Sequence, residues 1–315
     1  MKKKINFIYT GQGSQYPGML DELAETAKKY PVLKRVFEEA SDTLGYDVVS
    51  TAANPELVGL TEYTQPLLVT QEYAQSFMYS NTKDNPGVMK SAAGHSLGEY
   101  SALLSTGSVG FSKTLLAVRK RGQLMQRAVP LGVGSMAALT TKTKSENFGK
   151  DISNILSKSG LELSVANYNS LSQIVISGAK SDMSKANDLL IEGLSDYKKV
   201  RFIPLDVSAP FHSPMMTTIE SEYEQYIRGL SYFENNTNLT SVYSNYSSGF
   251  YKGTEADFYE KLKKQISSPV RWTEIMKKVV DNKSECDIIV EIGPKPILKG
   301  MFRTMNVDVD FFEGV

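Results

Sequence analysis

One cysteine, two histidines and one tryptophan are present in this chain of 315 residues, and each scarcity narrows the reading. Cys286 cannot form an internal disulfide; its setting, Ser284-Glu285-Cys286-Asp287-Ile288-Ile289-Val290, reads as a small buried residue entering a strand. Net charge is also missing. The 35 Lys and Arg balance the 35 Asp and Glu, so nothing in the whole-chain charge favours nucleic acid or an anionic membrane surface as a partner. No apolar run approaches the roughly 18 residues of a membrane helix. The apolar stretch after Met1-Lys2-Lys3-Lys4 is too short for a signal peptide, so a soluble, cytoplasmic protein is expected. There is no internal repeat or low-complexity tract, and no metal or resident cofactor is expected.

What the chain does have is hydrophobic content, 41%, enough for one large domain and a small one. Ile5 to Tyr9 reads as a strand ending in the turn Thr10-Gly11-Gln12-Gly13-Ser14-Gln15, with helical patterns from about Leu20. A helix over 66–80, a strand over Val88 to Ala93, and helices over Gly98 to Thr106 and Thr114 to Ala128 follow. Strands alternating with helices predict a mainly parallel sheet. Between about Gly134 and Phe202 the order becomes β-α-β-β-α-β, a ferredoxin-like pattern. The larger domain resumes with a strand over Ile203 to Val207, helices over Met215 to Arg228 and Phe258 to Lys264, and a strand over Asp287 to Ile292. The expected fold is α/β, an α/β-hydrolase-like domain of residues 1–133 and 203–315 with a ferredoxin-like subdomain, 134–202, inserted.

Gly94-His95-Ser96-Leu97-Gly98 matches the Gly-x-Ser-x-Gly nucleophile elbow, after a strand and before a helix as its mechanics require. The helix beginning at Leu97 aims amide groups and its positive dipole end at the serine. A serine hydroxyl needs a base, and histidine is the usual one. His95 would point away from Ser96, which leaves His212, in a turn before a helix that Ser213 could cap with Pro214 at its first position. No acid stands out as a third member. Asp206 is near in sequence, and a backbone carbonyl could serve instead.

Arg121 falls on the apolar side of its helix, with Val118 and Met125. A charge there needs a partner, worth about 1.5 to 3 kcal/mol, either a structural Asp or Glu or the free carboxylate of a substrate.

Together these motifs resemble the malonyl-CoA:acyl carrier protein transacylase family, including stand-alone acyltransferases that serve polyketide synthases in trans. The resemblance runs through Gly11-Gln12-Gly13-Ser14-Gln15, Gly94 to Glu99, Arg121-Gly122-Gln123-Leu124-Met125-Gln126, Asn167-Tyr168-Asn169-Ser170, Phe211-His212-Ser213 and Glu291-Ile292-Gly293-Pro294-Lys295-Pro296. It implies a ping-pong reaction in which Ser96 takes malonyl from malonyl-CoA and gives it to the phosphopantetheine thiol of an acyl carrier protein, free or as a polyketide synthase domain. His212 would be base and then acid, backbone N–H groups of Gln12 and Leu97 would hold the oxyanion, and Arg121 would bind the malonyl carboxylate. The family supports its histidine with a backbone carbonyl, which the resemblance places at Ser268. Phe211 matches malonyl-selective members. Tyr9-Thr10 and Ser268 depart from residues common in the family.

A proofreading hydrolase that strips acyl groups from carrier proteins would share the serine ester, but gains little from a carboxylate-binding arginine. A non-catalytic docking protein would be expected to lose Ser96, His212 or Arg121. An acidic carrier would dock on basic residues, for which Lys113, Arg119, Lys120, Arg127 and Lys180 are candidates. A monomer is expected.

Overall fold

The computed structural model describes residues 3–82, 87–234 and 237–314. Its central strand is β1 (Lys4–Tyr9), which pairs in parallel with β2 (Val88–Gly94) on one side and with β7 (Ile288–Ile292) on the other. A short strand, β8 (Asp310–Phe312), extends the sheet beyond β7, giving the order β2-β1-β7-β8, all parallel. Side chains along β1 divide by parity: Ile5, Phe7 and Tyr9 join the main core, whereas Ile8 joins a second cluster built on Trp272, Ile275 and Phe302. Ala92 and Ala93 on β2, and Val290 and Ile289 on β7, divide in the same way. Burial on both faces explains why these strands read as continuous apolar runs rather than alternating ones.

The second sheet is formed by β3 (Gly134–Thr140), β4 (Leu163–Ser170), β5 (Gln173–Ala179) and β6 (Arg201–Pro204), with the order β4-β5-β3-β6 and antiparallel pairing throughout. With helices Phe148–Ser159 and Met183–Gly193 it encloses its own core around Phe148, Ile152, Ile176 and Leu190. This is the ferredoxin-like arrangement, so the fold is α/β with a mainly parallel sheet plus a separate antiparallel one.

Several elements differ from the sequence reading. A single strand, β6, replaces the two expected over 199–202 and 203–207; it pairs with β3 from Thr140 to Ala137, and the hydrogen bond from Leu205 N to Met136 O at 3.0 Å is the last before the chain leaves the ladder. The helix expected over 66–80 runs Thr61–Thr82, with Pro66 inside it. Pro66 lies near enough to the start that little of the helical ladder is lost. Ser213 does not cap the next helix. Its hydroxyl donates to Pro210 O at 2.7 Å, and Pro214–Ile219 is a 3₁₀ turn before the helix Glu220–Gly229. Cys286 is exposed rather than buried, because it precedes β7 by two residues; the group buried there is Asp287, held by Lys90 at 2.7 Å. The short β8 was not anticipated, and no helix among the described residues is long and apolar enough to cross a membrane.

Two glycines fix how the end of the parallel sheet meets the next helix. A Cβ at Gly94 would lie 1.9 Å from the carbonyl of Gly98, and one at Gly98 would lie 2.3 Å from Thr10 O. Strand end, turn and helix start are therefore in backbone contact. Overpacking a core costs about 1 to 3 kcal/mol, and here backbone must move, so Gly94→Ala is expected to cost about 3 kcal/mol or more in urea unfolding. A midpoint equal to that of the parent chain would show that the turn can relax.

Candidate active site

Ser96 sits between the end of β2 and the helix Gly98–Ser105 with φ of 52°, in the left-handed region that non-glycine residues rarely adopt. His212 also has a left-handed φ, 55°. These two residues meet: Ser96 Oγ lies 2.7 Å from His212 Nε2. On the other side of the ring, His212 Nδ1 lies 2.9 Å from Gln265 O. A carbonyl can only accept, so Nδ1 carries the proton and Nε2 presents its lone pair to the serine. The histidine is oriented by backbone, with no carboxylate at its Nδ1. Asp206 is exposed on the cavity wall.

The main support differs from the one expected at Ser268. The hydrogen-bonding carbonyl belongs to Gln265, at the end of the helix Glu255–Gln265, where carbonyls lose their helical partners; the Ser268 backbone has a lesser influence on the imidazole. The other histidine, His95, turns away from Ser96 as expected. Its Nε2 lies 2.7 Å from Asn169 Oδ1 on β4, and its ring stands edge-on to Trp272 at 5.7 Å.

Arg121, on the helix Phe111–Arg127, is 1% exposed, yet no carboxylate pairs with it among the described residues. Nη1 donates to Gln65 Oε1 and Nη2 to Gln265 Oε1, each at 3.0 Å, and Nη2 also reaches Ser96 Oγ at 3.2 Å. Its Nε has no hydrogen-bond partner among the described residues, and the guanidinium lies 5.5 Å from the centre of the Tyr100 ring. A buried cation held by neutral amide oxygens retains nearly all of its field for an incoming anion. Gln65 and Gln265 were not singled out from sequence. Glutamine carries no motif of its own, and only the packing of three helices brings these two onto one guanidinium.

Gln265 connects most of the site. Its Nε2 donates to Ser96 O and to Glu99 Oε2, both at 2.8 Å, while its Oε1 takes Arg121 and its main chain takes His212. Burial raises the Glu99 carboxyl above its usual range, opposed by donors from Tyr251, Asn245 and Gln265. Backbone amides of Gln12 and Leu97 have no hydrogen-bond partner among the described residues; Gly11 packs so closely on the elbow that a Cβ there would lie 2.3 Å from His95 O.

A cavity of about 620 Å³ opens above these groups, between the two sheets. Gln12, Ser96, Arg121 and His212 line it from the larger sheet's side, and Met136 and Val175 from the smaller sheet. Phe211, 8% exposed, forms part of the wall. Of the five basic residues considered for docking, Lys113 pairs with Glu234, Lys120 and Arg127 both with Glu222, and Arg119 donates to Leu44 O. Neither Arg119 nor Lys180 has an acidic partner among the described residues. Nor do those residues contain a cluster of three or more groups suited to a metal.

Burial pushes His212 down to about 3, and the Arg121 charge beside it acts in the same direction. The neutral imidazole is the form that accepts a proton, so a lowered pKa extends the active range downward in pH. Phosphonylation of Ser96 by a fluorophosphonate is expected to keep its rate through pH of about 6.5, where an ordinary histidine base would fail. In Arg121→Gln the acid limb should move to higher pH, because a charge opposing protonation is gone. Rate-pH profiles of inactivation check both; an acid limb centred near 6.5 in the parent chain would contradict the buried, neutral base.

Residues 6–308 match the model of the acyl transferase domain family. The chain is 35% identical over 305 residues to a malonyl CoA-acyl carrier protein transacylase of Bacillus subtilis (strain 168), covering 96% of this chain and 90% of that protein. It is also 35% identical over 320 residues to the protein of that name from Haemophilus influenzae, covering 98% and 94%. Among solved structures it is similar to an acyl-carrier-protein S-malonyltransferase of Burkholderia pseudomallei, with TM-score 0.86 and 31% identity over 99% of this chain and 97% of that one. A malonyl-transacylase in complex with a type II polyketide synthase acyl-carrier protein aligns with TM-score 0.84 and 30% identity, covering 98% and 95%. With its serine elbow and facing histidine in place, the chain belongs to the acyl transferase domain family.

Proposed function

We propose that this enzyme moves a malonyl group from malonyl-CoA to the phosphopantetheine thiol of an acyl carrier protein through an ester on Ser96. The observation that carries the choice of substrate is Arg121, buried without a carboxylate and 3.2 Å from the serine hydroxyl. Malonyl-CoA supplies a free carboxylate at the distance of one methylene from the reacting carbonyl, and a guanidinium fork binds it as a bidentate ion pair.

In the first half-reaction Ser96 Oγ attacks the thioester carbonyl while His212 Nε2 takes its proton. The carbonyl oxygen, now anionic, is held by the amides of Gln12 and Leu97, each worth about 10²- to 10³-fold in rate. Collapse breaks the carbon–sulfur bond, and the departing coenzyme A sulfur takes the proton from His212. In the second half, the carrier thiol gives its proton to His212, its sulfur attacks the ester, and Ser96 Oγ leaves with that proton. Burial that lowers the His212 pKa makes the imidazolium a strong acid toward the leaving group; the malonyl carboxylate on Arg121 offsets the guanidinium charge while the imidazolium exists.

Phe211 narrows the wall beside His212 and supports malonyl over branched acyl groups, by about 1 to 3 kcal/mol for one methyl. The hydrolase alternative lacks support, since the relatives are named as transacylases and an uncharged acyl chain would leave Arg121 unanswered. Residues 134–202 act, on this reading, as an inserted subdomain that supplies one wall of the cavity. The carrier serves fatty acid or polyketide synthesis, and the enzyme works as a cytoplasmic monomer; a monomer mass in sedimentation equilibrium checks the latter.

The deciding experiment mixes the protein with malonyl-CoA, then with a phosphopantetheinylated carrier, and follows the masses of both proteins beside free malonate. Malonyl is expected on Ser96 and then on the carrier, faster than malonate is released. Arg121→Ala should lower malonyl transfer by about 10²-fold or more while leaving slow acetyl transfer within a few-fold, as removal of a buried charge pair costs about 3 to 5 kcal/mol. Rapid hydrolysis of an acetylated carrier, with no malonyl ester, would overturn the transferase.

A further inference from the structure

Asn245 is fully buried and uses both ends of its side chain on the nucleophile turn. Oδ1 accepts from Ser96 N at 2.6 Å, and Nδ2 donates to Gly94 O at 2.7 Å. These partners fix which end is oxygen, since an amide N–H needs an acceptor and a carbonyl needs a donor. The main chain of Asn245 is equally engaged: its N–H donates to Glu99 Oε2 at 2.9 Å and its carbonyl accepts from Arg271 N at 3.2 Å. The segment that delivers it runs beside β2, where Val242 pairs with Ala92 and Tyr243 N donates to Ala92 O at 3.0 Å.

From this geometry we propose that Asn245 is a positioning residue for the nucleophile, bridging Gly94 O and Ser96 N so that the strained turn holds the Ser96 hydroxyl against His212. The proposal rests on Ser96 being the nucleophile. A left-handed backbone at a serine costs of order 1 to 3 kcal/mol and persists only where surroundings over-determine it. Three groups lock the turn from different directions: His95 N donates to Tyr9 O, Glu99 N to Ser96 O, and the Asn245 amide closes the remaining side. The bridge has a second consequence. With Ser96 N occupied, Leu97 N is the first amide of the elbow free to meet an oxyanion. Glu99 holds both the Asn245 main chain and the Gln265 side chain, so the brace and the His212 support share one anchor.

Sequence offers no sign of this role. Asn245 lies in Ser244-Asn245-Tyr246, 149 residues from Ser96, within a polar stretch that reads as loop.

The test compares Asn245→Ala and Asn245→Asp with the parent chain. Single-turnover malonylation of Ser96 is followed at saturating malonyl-CoA, and competent sites are counted by the fluorophosphonate endpoint so that misfolded protein does not enter the rate. Asn245→Ala should acylate about 10²-fold more slowly per competent site with KM for malonyl-CoA little changed, since misplacement by about 1 Å costs that much while Arg121 is untouched. Asn245→Asp keeps the shape. Ionised, it cannot donate to Gly94 O and sits beside Glu99; protonated, it makes both bonds. Its rate should therefore rise several-fold as pH falls from about 8 to about 5.5, with no such rise in the parent chain. Acylation of Asn245→Ala at the parental rate per competent site would overturn the proposal, as would an Asn245→Asp profile that follows the parent's. Absence of any Ser96 ester in the parent chain would instead defeat the proposed function and is read separately.

Discussion

The positive charge of Arg121, buried among neutral amide oxygens, is the constraint around which the site is organised. A guanidinium removed from water without an anion is costly, and the protein lowers that cost with Gln65, Gln265 and the face of Tyr100 rather than with an acid. The carboxylate of Glu99 is one glutamine away, bonded to Gln265 Nε2 while Gln265 Oε1 takes the arginine. A direct ion pair would have quenched the field that an anionic substrate needs. The same charge disfavours protonation of His212, so one residue both offers carboxylate recognition and helps keep the base neutral.

Around that charge, the reacting groups stand on strained backbone. Ser96 and His212 both have left-handed φ values, and neither is a glycine. What holds them is close backbone packing: Gly94 against Gly98, Gly98 against the carbonyls ending β1, and hydrogen bonds from Asn245 and Gln265 that tie the turn to distant segments. A parallel sheet buried on both faces supplies a rigid floor, and the antiparallel sheet contributes Met136 and Val175 to the opposite wall. The site is thus a seam between two cores, a common location for ligand cavities.

Legibility differed by the kind of information each residue carries. Ser96 lies in a motif whose glycines are required by the turn itself, and only two histidines exist, so the pair could be read without coordinates. The apolar face of the Arg121 helix showed that its charge would be buried, but left its partner open. The β-α-β-β-α-β order was readable because short strands and helices alternate cleanly there; two strands were expected around Pro204 where only β6 forms, because apolar runs do not say where a ladder stops. Ser268 was placed by analogy with a family pattern, and the carbonyl three residues earlier proved to be the one at His212.

By itself the sequence determined the chemistry on offer: a serine on an elbow, a single histidine able to serve it, a buried arginine, and an α/β chain with a ferredoxin-like unit. These are local properties, set by backbone requirements of a turn, by helical periodicity and by scarcity. Only the tertiary structure decided which neutral groups surround the arginine, which carbonyl fixes the histidine tautomer, and which asparagine closes the serine's turn. Gln65, Asn245 and Gln265 meet the site from segments 53 to 169 residues away from their partners. An amide side chain has no sequence signature for such a contact, because its role is set by whichever donor and acceptor folding brings beside it.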